Sequence, residues 1–391
     1  MKNVLFFLVI AMPVFTANAE ELTVEVSNPL AAARSGEIIA LDWNELSGGV
    51  SGLTKENARV VDPAGKAALS QAIDNDGDGG VDELLFMTDL LGGEAKSFKI
   101  AADSSLNIPE SASRVYARFV PERADDFAWE NDVIAYRAYG PALANGVENS
   151  GFDCFMKRVK YPVVDGWYKG EKLGKSYHLD YGEGYDGYKV GSSLGGGGTA
   201  IWSGGLRHMS NVYREWRQFS NGPLRASFVL SYGPWEVDGK RITETRRITL
   251  DLGSRMFEVR EKFYVDGKPA NPRVAVGLST HEGKAKAFHD RSKGYLYCWE
   301  DIDGHPLGTG VVVPPGIIGD YKLVDSKKKF EGNAFYVVAP GADGEFTYFA
   351  GYGWEKAGEI VTREQWESYL ESFIERQANP VAVKIVNGEK P

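Results

Sequence analysis

The chain has 391 residues, 43% of them hydrophobic and 12% aromatic, with many glycines and a formal net charge of -10. That negative balance argues against nucleic acid or an acidic membrane as the main partner, while an acidic small substrate stays open because a cationic pocket can sit within an acidic surface. Two cysteines, Cys154 and Cys298, are too few for a disulfide scaffold; they can pair in an oxidising compartment, but nothing in their spacing shows that they meet.

Lys2, the apolar run Val4 to Phe15 and Ala17-Asn18-Ala19 before Glu20 form a secretory signal with a small-residue cleavage site, so residues 1–19 are expected to be removed and the mature chain exported to a periplasm or beyond. The apolar run is too short to span a bilayer comfortably and no second one follows. Without a cysteine after the cleavage region to carry a lipid, a soluble product with no membrane partner is expected.

Residues 22–28, 36–42 and 96–101 alternate apolar and polar side chains between turn residues, which predicts a small β-sandwich domain over 20–110. Within it lies Asp74-Asn75-Asp76-Gly77-Asp78-Gly79, followed by Asp82 and Glu83. Its oxygen spacing is similar to a calcium loop, yet no helices flank it and no glutamate holds the twelfth position. A polar hairpin tip is the favoured reading, with a structural Ca2+ at Asp74–Asp82 as the alternative and no cofactor otherwise expected. A joint is expected over 103–113.

From Arg114 onwards longer alternating runs follow, among them VYARFVP, LRASFVLSYGPW, TETRRITLDLG and FEVREKFYV. They predict an all-β fold, a large antiparallel two-sheet sandwich of supersandwich type over 111–391 with a polar concave face. Abundant glycine and aromatic residues fit that class better than a helical bundle. One clear helix is predicted over 362–376, where Thr362 and Gln365 form a capping box and Trp366, Tyr369, Leu370 and Phe373 an apolar stripe for the outside of the sandwich.

The stretch GKSYHLDYGEGYDGYKVGSSLGGGGTAIW, residues 174–202, gathers His178, Asp180, Glu183, Asp186 and four tyrosines beside Gly195–Gly198. No Gly-Lys-Ser/Thr ending follows the glycines and they run into a strand, so they are no phosphate loop. Instead they let the backbone turn sharply or pass close to a ligand. Imidazole with carboxylates can hold zinc or manganese, but no second histidine is near and no metal is expected. His178 by itself reads as a loop histidine satisfied by backbone; its company changes that. Lys157, Arg158 and Lys175 precede it, Tyr177, Tyr181, Tyr185 and Tyr188 surround it, and Arg207, His208 and Arg214 follow, with Trp167, Trp202 and Trp216 as stacking surfaces.

These ingredients match uronate chemistry. Removing the C5 proton requires the neighbouring carboxylate to be neutralised, after which a base takes the proton and an acid helps expel the group at C4. Expulsion of a glycosidic oxygen makes a polysaccharide lyase, and expulsion of a hydroxyl makes a dehydratase. His281, ending a long strand, can reach the same face; His289 and His305 read as surface residues. A hydrolase would need a carboxylate pair from Asp180, Glu183 and Asp186, or from Asp125, Asp126, Glu130 and Asp132, the latter also readable as a solvated turn. A binding protein without catalysis, using the aromatic side chains alone, is the reading from another class.

The runs DDFAWENDVIAYRAYGPAL, CFMKRVKYPVVDGWY, YHLDYGEGYDGYKVGSSLGGGGTAIW and QAIDNDGDG with the following DELLF together resemble a secreted bacterial family of domains of unknown function found with polysaccharide-degrading enzymes. That family includes an oligosaccharide dehydratase acting on ulvan, a sulfated algal polymer of rhamnose and uronic acids. The resemblance covers most of the mature chain, although SLGGGG departs from a pattern in which an arginine or cysteine is expected. It implies a carbohydrate-active lyase-type enzyme on a β-sandwich, with His178, Tyr188 and Lys157 inside matching segments. The expectation is a dehydratase that gives a 4,5-unsaturated uronate at the non-reducing end of an acidic oligosaccharide. In it His178 is base or acid, Tyr188 its proton-transfer partner, Lys157 and Arg214 the carboxylate clamp, and His281 a further catalytic candidate. Arg158, Lys175, His208, Tyr185 and Trp202 are expected to bind the sugar.

Overall fold

The computed structural model describes residues 21–111, 114–324, 326 and 331–386; the expected leader over 1–19 lies outside them. Period-two alternation of apolar side chains builds antiparallel sheets at both ends of the described chain. Near the start, a four-stranded sheet runs in the order Ala382–Val386, Glu21–Ser27, Ala95–Ala102, Ala58–Val61, and a three-stranded sheet in the order Arg34–Asp42, Glu83–Leu90, Ser70–Ile73. Val24, Val26, Phe98 and Ile100 of the first meet Leu41, Leu84 and Phe86 of the second in one core, to which the short helix α1 (Trp43–Gly49) adds Leu46. The strand Ala382–Val386 pairs along Glu21–Ser27, with Thr23 opposite Val386, so a partition at residue 110 leaves out the strand that ends this sheet.

The named strands of the larger region pair antiparallel throughout, as their alternation predicts. A nine-stranded sheet, including Arg225–Val237, Lys240–Asp251, Met256–Val265 and Glu345–Trp354, faces two five-stranded sheets. Phe228, Leu230, Phe257 and Val259 from the large sheet pack against Trp129, Tyr136 and Phe152 from one smaller sheet and Val274, Val276 and Tyr336 from the other. Embedded in this core, Arg246 binds Glu261 through Nε at 2.9 Å and Glu244 through Nη2 at 2.5 Å, while the Thr199 hydroxyl donates to Glu261 at 2.6 Å. Burial pushes Glu244 up to about 8, against the pull of Arg246 and with the added repulsion of Glu261.

Helix α2 (Val164–Lys172) escapes sequence reading because Gly166 and Gly170 interrupt it; Val163, Val164, Trp167 and Tyr168 nonetheless form its buried face. Helix α3 (Arg363–Ala378) has the expected capping box at Thr362 and Gln365. Its Trp366 lies flat over a strand of the large sheet, where a Cβ at Gly308 would stand 2.6 Å from the indole. The run Gly195–Gly198 is buried against protein: added Cβ atoms would meet Phe152 O at 2.3 Å, Cys154 Sγ at 2.4 Å and Ala350 Cβ at 2.3 Å. Those glycines serve the crossing of the strand Gly196–Ser203 under its neighbours, and the ligand approach expected of them is replaced by packing. Cys154 and Cys298 are both free and buried.

Candidate functional site

The site is built on one five-stranded sheet, from Asp126–Glu130, Ala135–Ala138 and Phe152–Lys157. Arg137 stands opposite Asp153 on one neighbour and Ala128 on the other. Alternation sends Phe127, Trp129, Tyr136, Phe152 and Cys154 into the main core. Asp126, Glu130, Arg137, Asp153 and Lys157 therefore share the opposite face. Helix α2 and the segment up to Tyr177 cover that face with Val163, Val164, Trp167, Tyr168 and Tyr177, so the charges beneath are removed from water.

Those charges form two groups. Lys157 is fully buried, donating to Glu130 at 2.9 Å and to the Asn131 carbonyl at 2.6 Å. Glu130 in turn accepts the Val163 and Val164 backbone N–H groups at the start of α2, at 2.8 and 2.9 Å, where an anion suits the helix dipole. Lys157 thus anchors a helix and cannot clamp a substrate. The second group centres on Arg137, whose Nε donates to Asp153 at 2.8 Å and Nη2 to Asp186 at 3.0 Å, with Asp126 at 3.6 Å. Three carboxylates share one guanidinium. Burial pushes Asp126 up to about 6 against the pull of Arg137, and Asp153 up to about 7 with the help of Asp186's charge; burial raises Asp186 as well. Asp153 Oδ1, Asp186 Oδ1 and the Tyr139 hydroxyl have no hydrogen-bond partner among the described residues.

His178 connects this cluster to solvent. Its Nδ1 lies 3.1 Å from the Asp186 carbonyl and 3.4 Å from Asp186 Oδ2, its ring rests 4.4 Å from that of Tyr177, and its side chain is 42% exposed. In the tautomer that donates Nδ1–H to Asp186, Nε2 keeps a free lone pair, the arrangement a general base needs. Tyr177 is itself held by Arg123, whose Nε donates to the phenol oxygen at 2.8 Å. Lys189 is exposed on the same segment, and both it and Arg123 act electrostatically on Asp186. Backbone held in the left-handed region adds local strain at Ala124 (φ 53°), Asp125 (57°), His281 (42°) and Glu282 (62°), none of them glycine.

His281 is placed differently from the expectation. Its Nδ1 contacts both Glu300 oxygens, at 2.8 and 2.7 Å, and Nε2 lies 2.6 Å from the Lys189 carbonyl. Acceptors at both nitrogens favour the doubly protonated ring. Burial alone would lower its pKa, but the Glu300 hydrogen bond and charge raise it overall. With no lone pair to offer, His281 holds the Lys189 segment in place. Tyr188 stacks edge-on to it at 4.5 Å, is 1% exposed, and has its phenol pushed well up by burial, so it is closed to proton transfer with a bound sugar.

The remaining candidates scatter. Lys175 sits 4.6 Å over the exposed Tyr181 ring, near His178. Arg158 bonds the Gly182 carbonyl at 3.0 Å and lies 3.6 Å from Asp180, which Lys356 also holds at 2.8 Å. The Tyr185 hydroxyl donates to Asp303 at 2.7 Å. Trp202 packs on Phe335 at 5.2 Å and His208 bonds the Ser203 carbonyl at 3.3 Å, both on the other five-stranded sheet. Arg214 is exposed on the edge strand Tyr213–Asn221 of the nine-stranded sheet. The residues that sequence reasoning missed are Arg137, Asp153, Arg123 and Lys189. An arginine inside the apolar run VIAYRAYGP was the available signal for the first.

Among the described residues, Asp74, Asp76 and Asp78 are the one set of three or more whose metal-ligating atoms lie within 4.8 Å of one another; His178, Asp180, Glu183 and Asp186 do not converge in this way. The Asp74 carboxylate is occupied by backbone N–H groups of its own loop, including Gly79 at 2.8 Å. No described helix is long and apolar enough to cross a membrane.

The chain is similar to an alpha-mannosidase from Enterococcus faecalis V583, with 10% identity, a TM-score of 0.47 and coverage of 94% of this chain and 46% of that one. A second solved structure, a protein in glycosyl hydrolase family 38 from Enterococcus faecalis, gives 9% identity, a TM-score of 0.46 and coverage of 94% and 48%. This chain therefore spans about half the length of either. "Uncharacterized protein P7" of Formosa agariphila is 32% identical over 402 residues, covering 98% of this chain and 100% of that protein. Residues 26–383 match the family described as domain of unknown function DUF4861, and the chain belongs to that family.

Proposed function

We propose that the protein is a carbohydrate-active lyase-type enzyme, a dehydratase that removes water from the non-reducing-end uronate of an acidic oligosaccharide such as a fragment of ulvan, in a periplasm or outside the cell. The observation that carries this reading is the half-exposed His178 imidazole, backed through Nδ1 by Asp186. Lys189, exposed on the His178 segment, and Arg123, half-buried beside Tyr177, take the role expected of Lys157 and Arg214, positive charge for the substrate carboxylate. His178 Nε2 takes the C5 proton, the C–H electron pair becomes the C4=C5 double bond, and the C4 hydroxyl leaves. In a syn elimination the imidazolium returns that same proton to the departing hydroxide, so one molecule of water is released and the histidine is regenerated. Proton transfer through Tyr188 is not required.

Mass spectrometry of uronate-terminated ulvan, pectin and alginate oligosaccharides tests the reading. A product lighter by one water with the chain intact is the expected result, and His178→Ala abolishes it. Shortened chains would mean a depolymerising lyase. Unchanged mass with retained oligosaccharide would leave a binding protein.

A further inference from the structure

A crevice of about 670 Å³ separates the N-terminal sandwich from the outer face of the nine-stranded sheet. Residues 35–40 form one wall, Arg247, Glu258 and Arg260 the floor, and α3 with the chain after it the other wall. It shares no lining residue with the His178 site.

Most of the charges here are matched. Arg225 makes a bidentate pair with Asp251, at 2.6 and 2.8 Å, and lies 3.7 Å from Glu83. Arg260 binds Glu258 at 2.7 Å, and Glu37 is held by the buried Arg34 at 2.9 Å. Two guanidiniums are left over. Arg247 has only neutral acceptors, the Asn75 carbonyl at 2.7 Å and side-chain oxygen at 3.3 Å. Its half-buried position, with Arg260 and Arg225 nearby, disfavours the charge it carries by more than Glu258 and Glu83 favour it, and a bound anion would relieve the balance. Arg376, on the last turn of α3, has no ion-pair partner among the described residues. Beside them Phe349 and Phe373, edge to face at 5.0 Å, present apolar carbon to the same space.

We propose that this crevice is a second carbohydrate site, which takes an oligosaccharide bearing carboxylate or sulfate groups. Arg247 and Arg376 receive the anionic substituents by charge-assisted hydrogen bonds, and the phenylalanines meet the C–H faces of the rings. It holds a chain without reacting with it, and it stands whether or not the His178 site performs the elimination.

Calorimetric titration of the full mature chain carrying His178→Ala, so that nothing is consumed, tests the site with hexagalacturonate, uncharged cellohexaose and sodium sulfate as probes. Arg376→Gln, at a solvent-accessible position, and Arg247→Gln should each weaken hexagalacturonate binding by ~10-fold or more, the loss of one charge-assisted bond. Cellohexaose should bind at least as poorly to the parent. In the chain that retains His178, Arg376→Gln should leave turnover of a short oligosaccharide unchanged. Parent-like affinity in both variants, or equal binding of cellohexaose, overturns the proposal. Displacement of hexagalacturonate by sulfate mole for mole also overturns it, reducing the crevice to a small-anion site.

Discussion

Arg137 and Arg246 lie at the centres of two buried clusters with the same composition in outline, one guanidinium among more carboxylates than it can neutralise. Around Arg246, Glu244 and Glu261 are enclosed by the main core, and the nearest additional polar contacts come from Thr199 and Ser210. Around Arg137, Asp186 passes a contact on to a half-exposed imidazole. Buried charge and raised carboxylate pKa values are common to both. An imidazole that reaches water distinguishes one from the other, so perturbed titration alone does not mark a site.

The largest expected effect that sharpens this contrast is on turnover. Asp186→Asn removes the carboxylate beneath His178 and should lower kcat by ~10²-fold or more, with the protein still folded by circular dichroism, whereas Glu244→Gln should leave kcat within a few fold. Next, Arg246→Met leaves the buried Glu261 without its cation and should lower stability by ~3–5 kcal/mol in urea unfolding, with no direct effect on the reaction. Unchanged stability would mean that Glu261 does not depend on Arg246 for its place in the core.

The third effect is on the pH dependence of stability. Asp153 and Glu244 have folded pKa values of about 7 and about 8, above their ordinary values of 3.8 and 4.5. The native state therefore binds more protons than the unfolded chain, and stability falls as pH rises through each window. Denaturation midpoints should be higher near pH 5 than near pH 8. Glu244→Gln should flatten the upper part of that slope and Asp153→Asn the lower part, each by ~2 kcal/mol. A midpoint that rises with pH would contradict both assignments. The smallest effect is a control outside both clusters: Thr362→Ala removes the cap of α3 and should lower stability by ~1 kcal/mol at every pH.

Much of the architecture was legible because alternation and capping are local. The strands of the nine-stranded sheet and the capping box at Thr362 and Gln365 needed no tertiary information. The site was legible only in part. His178 stands out by its neighbours in sequence, but whether a lysine clamps a substrate or anchors a helix depends on what covers its strand. Lys157 lies beneath α2, a helix whose two glycines hide it. Arg137 reads as an interruption of an apolar strand until Asp153 and Asp186, distant in sequence, are brought beside it. Asp126 and Glu130 read as a solvated turn, yet both are buried members of a strand.

The pairing of Thr23 with Val386 gives the molecule an order of assembly. The strand Glu21–Ser27 is available early in synthesis, but one of its two edges stays unpaired until nearly the whole described chain has been made. An open edge of alternating valines invites pairing with another chain, and a contact so distant in sequence forms slowly. The N-terminal sandwich is thus complete only once both ends of the described chain are in place. A chain cut before Ala382 would keep both of its charge clusters and still carry an adhesive edge.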